Sequence, residues 1–94
     1  MDFEWDDNKE KKNISKHGID FNTALLVFGD DNRIEMYDKK HSELEDRFIT
    51  IGAVGGLAIV LCVVYTERKS SIRIISARCA TNREKEVYYE SIKC

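Results

Sequence analysis

The residues of this chain best suited to chemistry on a phosphate are five arginines in its second half: Arg47, Arg68, Arg73, Arg78 and Arg83. A planar guanidinium group grips a phosphate through two parallel hydrogen bonds, whereas lysine suffices for general solubility. Arg73 and Arg78 fall in one strand-like run, in which odd and even positions face opposite sides. They therefore share a face only if a bulge or the end of the strand intervenes. The alternative for each arginine is an exposed or salt-bridged residue at a sheet edge.

Cleavage of RNA without a metal needs such cations together with groups that move protons. The ribose 2′-hydroxyl attacks the adjacent phosphate, so the enzyme supplies a base, an acid and positive charge near phosphorus. His17 suits proton transfer near neutral pH, but it also falls at a predicted helix end, where a cation favours the helix dipole. Glu84 and Tyr88 stand four residues apart and share a helix face. Their alternative roles are a helix-capping partner and a core residue.

Other chemistries find no support in the sequence. It contains no phosphate loop, no dinucleotide-binding fingerprint, no zinc-protease motif and no nucleophile elbow. His17, His41 and the three cysteines lack the paired spacing of a zinc site. Cys62, in an apolar run, is predicted to be a core residue. We therefore expect no metal and no cofactor.

The composition indicates one globular domain over residues 1–94, since 43% of the residues are hydrophobic, 34% are charged and none is proline. The net charge of -2 hides two opposite blocks. Residues 1–46 carry 13 acidic against 7 basic side chains, and residues 47–94 carry 4 against 8. Either the halves neutralise each other across the fold, or the second half forms a basic anion-binding surface. Three cysteines and a polar N-terminus without a signal peptide favour the cytoplasm.

Hydrophobic spacing predicts the elements that position these residues. Period-two and β-branched runs indicate a short strand and four antiparallel strands, and helical spacing indicates two helices before them and one after. The predicted ranges are strands at 3–5, 33–38, 47–54, 57–66 and 71–78, and helices at 7–16, 21–28 and from 81 onward. The fold class is therefore α+β, with an antiparallel four-stranded sheet and a C-terminal helix.

Cap and turn residues set the predicted ends of these elements. Asp6 and Asp20 are the expected N-caps of the first two helices, and Gly18 the expected C-terminal stop of the first. Gly55 and Gly56 predict a two-residue hairpin turn, because such turns need positive φ. Thr81 and Glu84 have capping-box spacing. The inner face of the last helix is predicted to consist of Val87, Tyr88, Ser91 and Ile92.

An uncharged stretch over residues 48–66 offers a different interpretation, a membrane helix with a Gly-x-x-x-Gly motif at Gly52 and Gly56. Three glycines in five positions and dense valine and isoleucine content favour strands instead.

Taken in order, the segments resemble the BrnT family of bacterial type II toxins. The resemblance starts at Phe3-Glu4-Trp5-Asp6 and covers essentially the whole chain. Its most specific strings are Lys-His-Gly-x-x-Phe at residues 16–21 and Arg-Ile-Ile-Ser-Ala-Arg at residues 73–78. The sequence departs from the family at Cys79, where a basic residue is common, and over residues 31–43, which match little.

The resemblance implies a compact RelE-like fold and an endoribonuclease toxin that slows growth by cutting cellular RNA. It also implies a BrnA-like antitoxin that neutralises the toxin and carries the complex to operator DNA. Homodimeric and hetero-oligomeric assembly are both left open. The motif positions that carry candidate roles are His17, Glu84, Tyr88, Arg73 and Arg78 for catalysis, and Lys16, Arg47 and Arg68 for RNA phosphate binding.

A function of another class competes with this one. A binding module that has lost cleavage would keep the fold and pair with the antitoxin in a DNA-binding repressor complex. Loss of basic residues from the sheet favours that function, and Cys79 is one step in that direction. Growth arrest on expression without the antitoxin would separate the two.

Overall fold

Eight regular elements follow one another in the computed structural model, which describes residues 2–56 and 59–92. Short 3₁₀ turns at Leu26–Gly29 and Lys39–His41 link some of them. The elements are β1 (Asp2–Glu4), α1 (Asp7–His17), α2 (Phe21–Leu25), β2 (Ile34–Tyr37), β3 (Arg47–Val54), β4 (Ile59–Arg68), β5 (Ser71–Cys79) and α3 (Asn82–Ile92). The predicted α+β class is confirmed.

All five strands form a single sheet in the order β1-β5-β4-β3-β2. The four strands β2 to β5 pair antiparallel, as predicted. Strand β1 extends the sheet by pairing in parallel with the start of β5, which the sequence pattern did not predict. Parallel neighbours need a long crossover, and most of the chain lies between these two strands. Strand β4 lies at the centre, as expected for a run that is apolar on both faces.

The helix caps follow the sequence prediction. The Asp6 carboxylate accepts the backbone N–H groups of Asn8 and Lys9 at 2.8 and 3.0 Å, and Gly18 ends α1 with φ of 71°. The Asp20 carboxylate accepts the N–H of Thr23 at 2.6 Å. Helix α2 is shorter than predicted, because its last turn tightens into the 3₁₀ turn Leu26–Gly29.

The two sides of the sheet differ in how they are covered. We call the side that carries Leu61, Val63 and Ile74 the closed face, because the buried side chains Phe21 and Val27 pack against it. The other side, the open face, is covered at one end by α3. There Tyr88 and Ile92 pack on a cluster formed by Ile51, Ala53, Val60 and Cys62.

Two details of the prediction are wrong. Val87 is 50% exposed and Ser91 is also exposed, because α3 meets the sheet along a narrow line through Tyr88 and Ile92. Strand pairing places Val54 opposite Ile59, whereas a two-residue turn at Gly55 and Gly56 would place it opposite residue 57. Gly55 and Gly56 do adopt positive φ, both at 69°. The predicted strand residues 57 and 58 lie outside the described part of the chain.

Beyond the ends of the short edge strands β1 and β2, side chains form hydrogen bonds with the backbone groups that β5 and β3 leave unpaired. The Asn13 side chain donates to the Ala77 carbonyl at 2.8 Å and accepts the Ala77 N–H at 3.1 Å. The Asp30 carboxylate accepts the Ala53 N–H at 2.8 Å. Buried backbone groups need such partners. Asn13 thus holds α1 against β5, and Asp30 holds the turn before β2 against β3.

Within residues 2–56 and 59–92, no helix is long and apolar enough to cross a membrane. The described part of the uncharged stretch forms β3, β4 and the start of their turn.

Candidate functional site

A β-bulge in β5 brings the two arginines of its motif to the same face. The register pairs Tyr65 with Ile74 and Val64 with Ser76, so Ile75 is an extra residue. Such a residue shifts the alternation of side chains by one position. Arg73 therefore lies opposite Thr66 and Arg78 opposite Cys62, both on the open face. The bulge on which their convergence depends is present.

Arg47 belongs to the same face. It pairs with Thr66 from the other side, so Arg47, Thr66 and Arg73 form one row across three adjacent strands. Neighbouring strands lie about 4.8 Å apart, which puts the backbones of the two arginines about 10 Å from each other. Thr66 is buried between them, and its hydroxyl donates to the Asp46 carbonyl at 2.6 Å.

Arg78 is held by the first turn of α3. Its guanidinium donates two hydrogen bonds to the Glu84 carboxylate, at 2.7 and 2.9 Å. That carboxylate also accepts the Thr81 N–H, and the Thr81 hydroxyl accepts the Glu84 N–H, so the predicted capping box is confirmed. The hydrogen bonds from Arg78 lower the pKa of Glu84 to about 2, and Glu84 raises the pKa of Arg78. Both groups are therefore charged at neutral pH.

Carboxylates also pair with two other arginines of the candidate site. Arg73 donates to Glu4 at 2.8 Å, and Arg68 donates to Glu45 at 3.1 Å in a largely exposed pair near the end of β4. Within residues 2–56 and 59–92, Arg47 enters no ion pair. A phosphate on the open face would thus meet one unpaired arginine and compete with carboxylates for the others.

Lys16 and His17 lie at the end of α1, at the margin of the open face. They line a shallow groove between α1 and β5, and the sheet side of that groove is Ile75 and Ser76. Ser76 faces the same side as Val64, between the positions of Arg73 and Arg78 along β5. His17 is partly buried. The groove places His17 beside Ile75 and Ser76 of β5.

Tyr88 occupies a different position, because its side chain is fully buried beneath α3. Its hydroxyl donates to the Asp30 carboxylate. Burial raises the pKa of Tyr88 to about 12, so the phenol stays protonated. Burial by itself would raise the pKa of Asp30, but hydrogen bonds from Ala53, Tyr88 and Asn32 lower it overall. This contact ties α3 to the turn before β2.

Cys62 lies on the open face opposite Arg78 and is 2% exposed. Burial raises the pKa of its thiol to about 11, so the side chain is a neutral core residue, as predicted. Cys79 is exposed at the end of β5. Among the described residues, no group of three or more His, Cys, Asp or Glu is arranged to hold a metal ion.

Sequence reasoning missed three side chains that shape this region. Asn13 and Asp30 anchor α1 and α3 through partners distant in the sequence, so no local pattern assigned them this role. His41 shares a loop cavity with Arg47, and its Nδ1 lies 2.9 Å from the Asp38 carboxylate. His41 and Asp38 belong to the segment that matches the family least, so no motif pointed to them.

The fold and the site define a class: a small α+β domain whose sheet presents arginines on the part of its open face that α3 leaves uncovered, a surface suited to a polyanion. The chain matches the family described as "Ribonuclease toxin, BrnT, of type II toxin-antitoxin system" over residues 5–84. It therefore belongs to the BrnT family of ribonuclease toxins, whose type II systems pair a toxin with an antitoxin. A search of curated proteins finds no match to this chain.

Proposed function

We propose that the chain is an endoribonuclease that cleaves cellular RNA on the open face of its sheet without a metal. The observation that carries the proposal is the bulge at Ile75, which aligns Arg73 and Arg78 on one face with Arg47 across β4. Three guanidinium groups on an uncovered surface suit an RNA phosphate, whose backbone provides most of the sequence-independent affinity.

In the proposed reaction the ribose 2′-oxygen attacks the adjacent phosphorus and the bond to the 5′-oxygen breaks. The products are a 2′,3′-cyclic phosphate and a 5′-hydroxyl, so no water or metal enters this step. Arg73 and Arg78 stabilise the charge that grows on the phosphate oxygens, and Arg47, Arg68 and Lys16 bind flanking phosphates. His17 transfers a proton between the 2′-hydroxyl and the leaving 5′-oxygen, directly or through water.

The other two candidates act by positioning in this proposal. Glu84 is ionised and occupied by Arg78, so it orients that guanidinium rather than taking up a proton. Tyr88 is fully buried and bonded to Asp30, so it fixes α3 on the sheet. Their contacts support a division between groups that meet the RNA and groups that hold the first set in place.

In the cell, the proposed activity slows growth from the cytoplasm, where RNA is available. A BrnA-like antitoxin neutralises the toxin by covering or distorting the open face, and only the antitoxin contacts operator DNA.

The test is cleavage of a labelled RNA in EDTA by the wild type and two variants. Arg78→Ala removes a proposed phosphate ligand. Arg83→Ala makes the same charge change at an exposed position of α3 and serves as the matched control. The proposal predicts cutting by the wild type and Arg83→Ala, with a loss of about 100-fold or more in Arg78→Ala. Equal cutting by all three chains would remove Arg78 from the site.

A second candidate function is a partner that binds the antitoxin and does not cut. The carboxylates that already occupy Arg73 and Arg78 favour it, because they offset the charge that a substrate phosphate needs. Expression without the antitoxin separates the two functions: growth arrest supports the ribonuclease, and unchanged growth with no cutting in vitro supports the binding module.

A further inference from the structure

Three lysines of α1 share one side of the helix with its attachment point on the sheet. Lys9, Lys12 and Lys16 are spaced so that they project in nearly the same direction as Asn13 and His17. Together with Ile75 and Ser76 these five residues line the groove between α1 and β5. We call this surface the lysine groove. At 1.5 Å per residue, its three lysines span about 10 Å along the helix.

The lysine groove carries positive charge without a carboxylate in its lining. Within residues 2–56 and 59–92, its lysines form no ion pair, in contrast to Arg68, Arg73 and Arg78. The nearest acidic residue along the helix, Glu10, turns away and accepts the Phe21 N–H at 2.9 Å. The ammonium groups are exposed and available to an anion.

The groove runs beside the arginines of β5. Helix α1 is pinned to that strand by Asn13, which bonds to Ala77 next to Arg78. At the other end, the hydrogen bond from the Lys9 N–H lowers the pKa of the Asp6 carboxyl, and the positive charges of Arg73 and Lys9 act in the same direction. A row of lysines on the helix thus flanks the same stretch of β5 that carries Arg73 and Arg78 on the sheet.

We propose that the lysine groove is a binding track for the RNA backbone on one side of the scissile phosphate, with Lys9 and Lys12 as its phosphate ligands. This inference rests on the proposed function and adds the path of the substrate to it. The half-exposed strip formed by Ile75 and Ser76 lies between the two rows of cations and gives a single strand a surface to follow. Exposed ammonium groups contact phosphates without reading bases, so the track is not sequence-specific.

The test measures the affinity for a single-stranded RNA of twelve nucleotides in which every ribose is 2′-O-methylated, so that no 2′-hydroxyl can attack. Each cation that neutralises a phosphate adds about 0.7 to the slope of log affinity against log salt concentration. The double variant Lys9→Ala/Lys12→Ala should therefore lower that slope by up to about 1.4. The matched control, Lys11→Ala/Lys39→Ala, removes two exposed lysines outside the groove and should keep the wild-type slope.

A kinetic readout on unmodified RNA separates the track from the reacting centre. The groove variant should raise KM for a long RNA and leave kcat unchanged, and its kinetics on a dinucleotide should equal those of the wild type. Equal salt slopes for the groove variant and the control would overturn the lysine groove as an RNA-binding track. The proposed ribonuclease function would still stand if the wild type cuts RNA. A wild type that neither binds nor cuts RNA would overturn the proposed function and the groove with it.

Discussion

The two faces of the sheet use the same strands for different purposes. On the closed face, Phe21, Val27, Leu61 and Val63 are fully buried, and the contact is apolar. On the open face, the end covered by α3 is apolar, and the rest presents Arg47 together with Arg73 and Arg78, which pair with carboxylates at its margin. Apolar burial supplies stability, whereas partly exposed ion pairs contribute little to it. Substitutions on the closed face should therefore mainly change folding, and substitutions of the open-face arginines should mainly change activity.

The largest expected effect belongs to the open face. Arg78→Ala should lower kcat/KM for RNA cleavage by about 100-fold or more, as loss of a charge-stabilising donor does. Its side chain is 38% exposed, so the free energy of unfolding should fall by less than about 1 kcal/mol. Cleavage kinetics beside urea unfolding check both. A loss of stability large enough to explain the loss of activity by unfolding would contradict the distinction between the two faces.

The edge of the sheet should show a large stability effect. Asn13→Ala leaves the N–H and carbonyl of Ala77 and the Ile19 carbonyl without their side-chain partner. We expect the free energy of unfolding to fall by about 2–3 kcal/mol. The control is Asn22→Ala, an exposed asparagine on α2 that should be nearly neutral. Similar urea midpoints for both variants would mean that Asn13 does not hold α1.

A close approach on the closed face offers a sharper test. A Cβ atom on Gly52 would lie 2.7 Å from the Val27 Cγ1 atom, closer than such atoms approach. Gly52→Ala should therefore lower the free energy of unfolding by about 2 kcal/mol through overpacking. Gly29→Ala meets nothing within 4 Å and should be neutral or stabilising. The thermal midpoints of the two variants test this prediction. An unchanged midpoint for Gly52→Ala would contradict the close packing of Gly52 against Val27.

The ion pair between Arg78 and Glu84 on the open face should make the stability of the protein depend on pH in the acid range. The pKa of Glu84 lies near 2 in the fold, below its ordinary value of 4.5. The pair therefore adds stability above about pH 4.5, and that stability is lost as the pH falls toward 2. Between pH 6 and pH 3 the wild type should lose about 2–5 °C more in Tm than Glu84→Gln. Glu86→Gln on the same helix should behave as the wild type, and identical profiles for all three chains would contradict the pair.

The smallest effect compares two buried threonines on opposite faces. Thr50, on the closed face, has no hydrogen-bond partner for its hydroxyl among the described residues, whereas the Thr66 hydroxyl donates to Asp46. Thr50→Val should raise the free energy of unfolding by up to about 1 kcal/mol, and Thr66→Val should lower it by about the same amount. Differential scanning calorimetry checks both signs. Destabilisation of equal size in both would show that Thr50 also has a partner.

Patterns local in sequence predicted most of the fold. Helix caps at Asp6, Asp20 and Thr81 act within three residues, and the alternation of β3 and the apolar run of β4 report burial directly. The parallel pairing of β1 with β5 joins residues about seventy positions apart, and no short pattern encodes such a contact. Val87 was misplaced because helical spacing gives the apolar side of α3 but not the width of its contact.

The sequence predicted only part of the candidate site, because the rest depends on contacts between residues far apart in the chain. Residue types identified the arginines, and alternation showed that Arg73 and Arg78 need a bulge to converge. The bulge itself depends on pairing with β4, and the anchors Asn13 and Asp30 act on strands 64 and 23 residues away. The four-residue spacing from Glu84 did not show whether Tyr88 is a surface or a core residue, and the structure shows that it is buried.

The most direct test of the open face as a metal-free ribonuclease site is the chemistry of the ends it leaves. The measurement is mass spectrometry of the fragments after the purified chain has cut a defined RNA in EDTA. Attack by the 2′-hydroxyl predicts 2′,3′-cyclic phosphate and 5′-hydroxyl ends, and no cut at a nucleotide whose 2′-hydroxyl is replaced by hydrogen. Fragments with 3′-hydroxyl and 5′-phosphate ends, or cutting that persists at the deoxynucleotide, would contradict it.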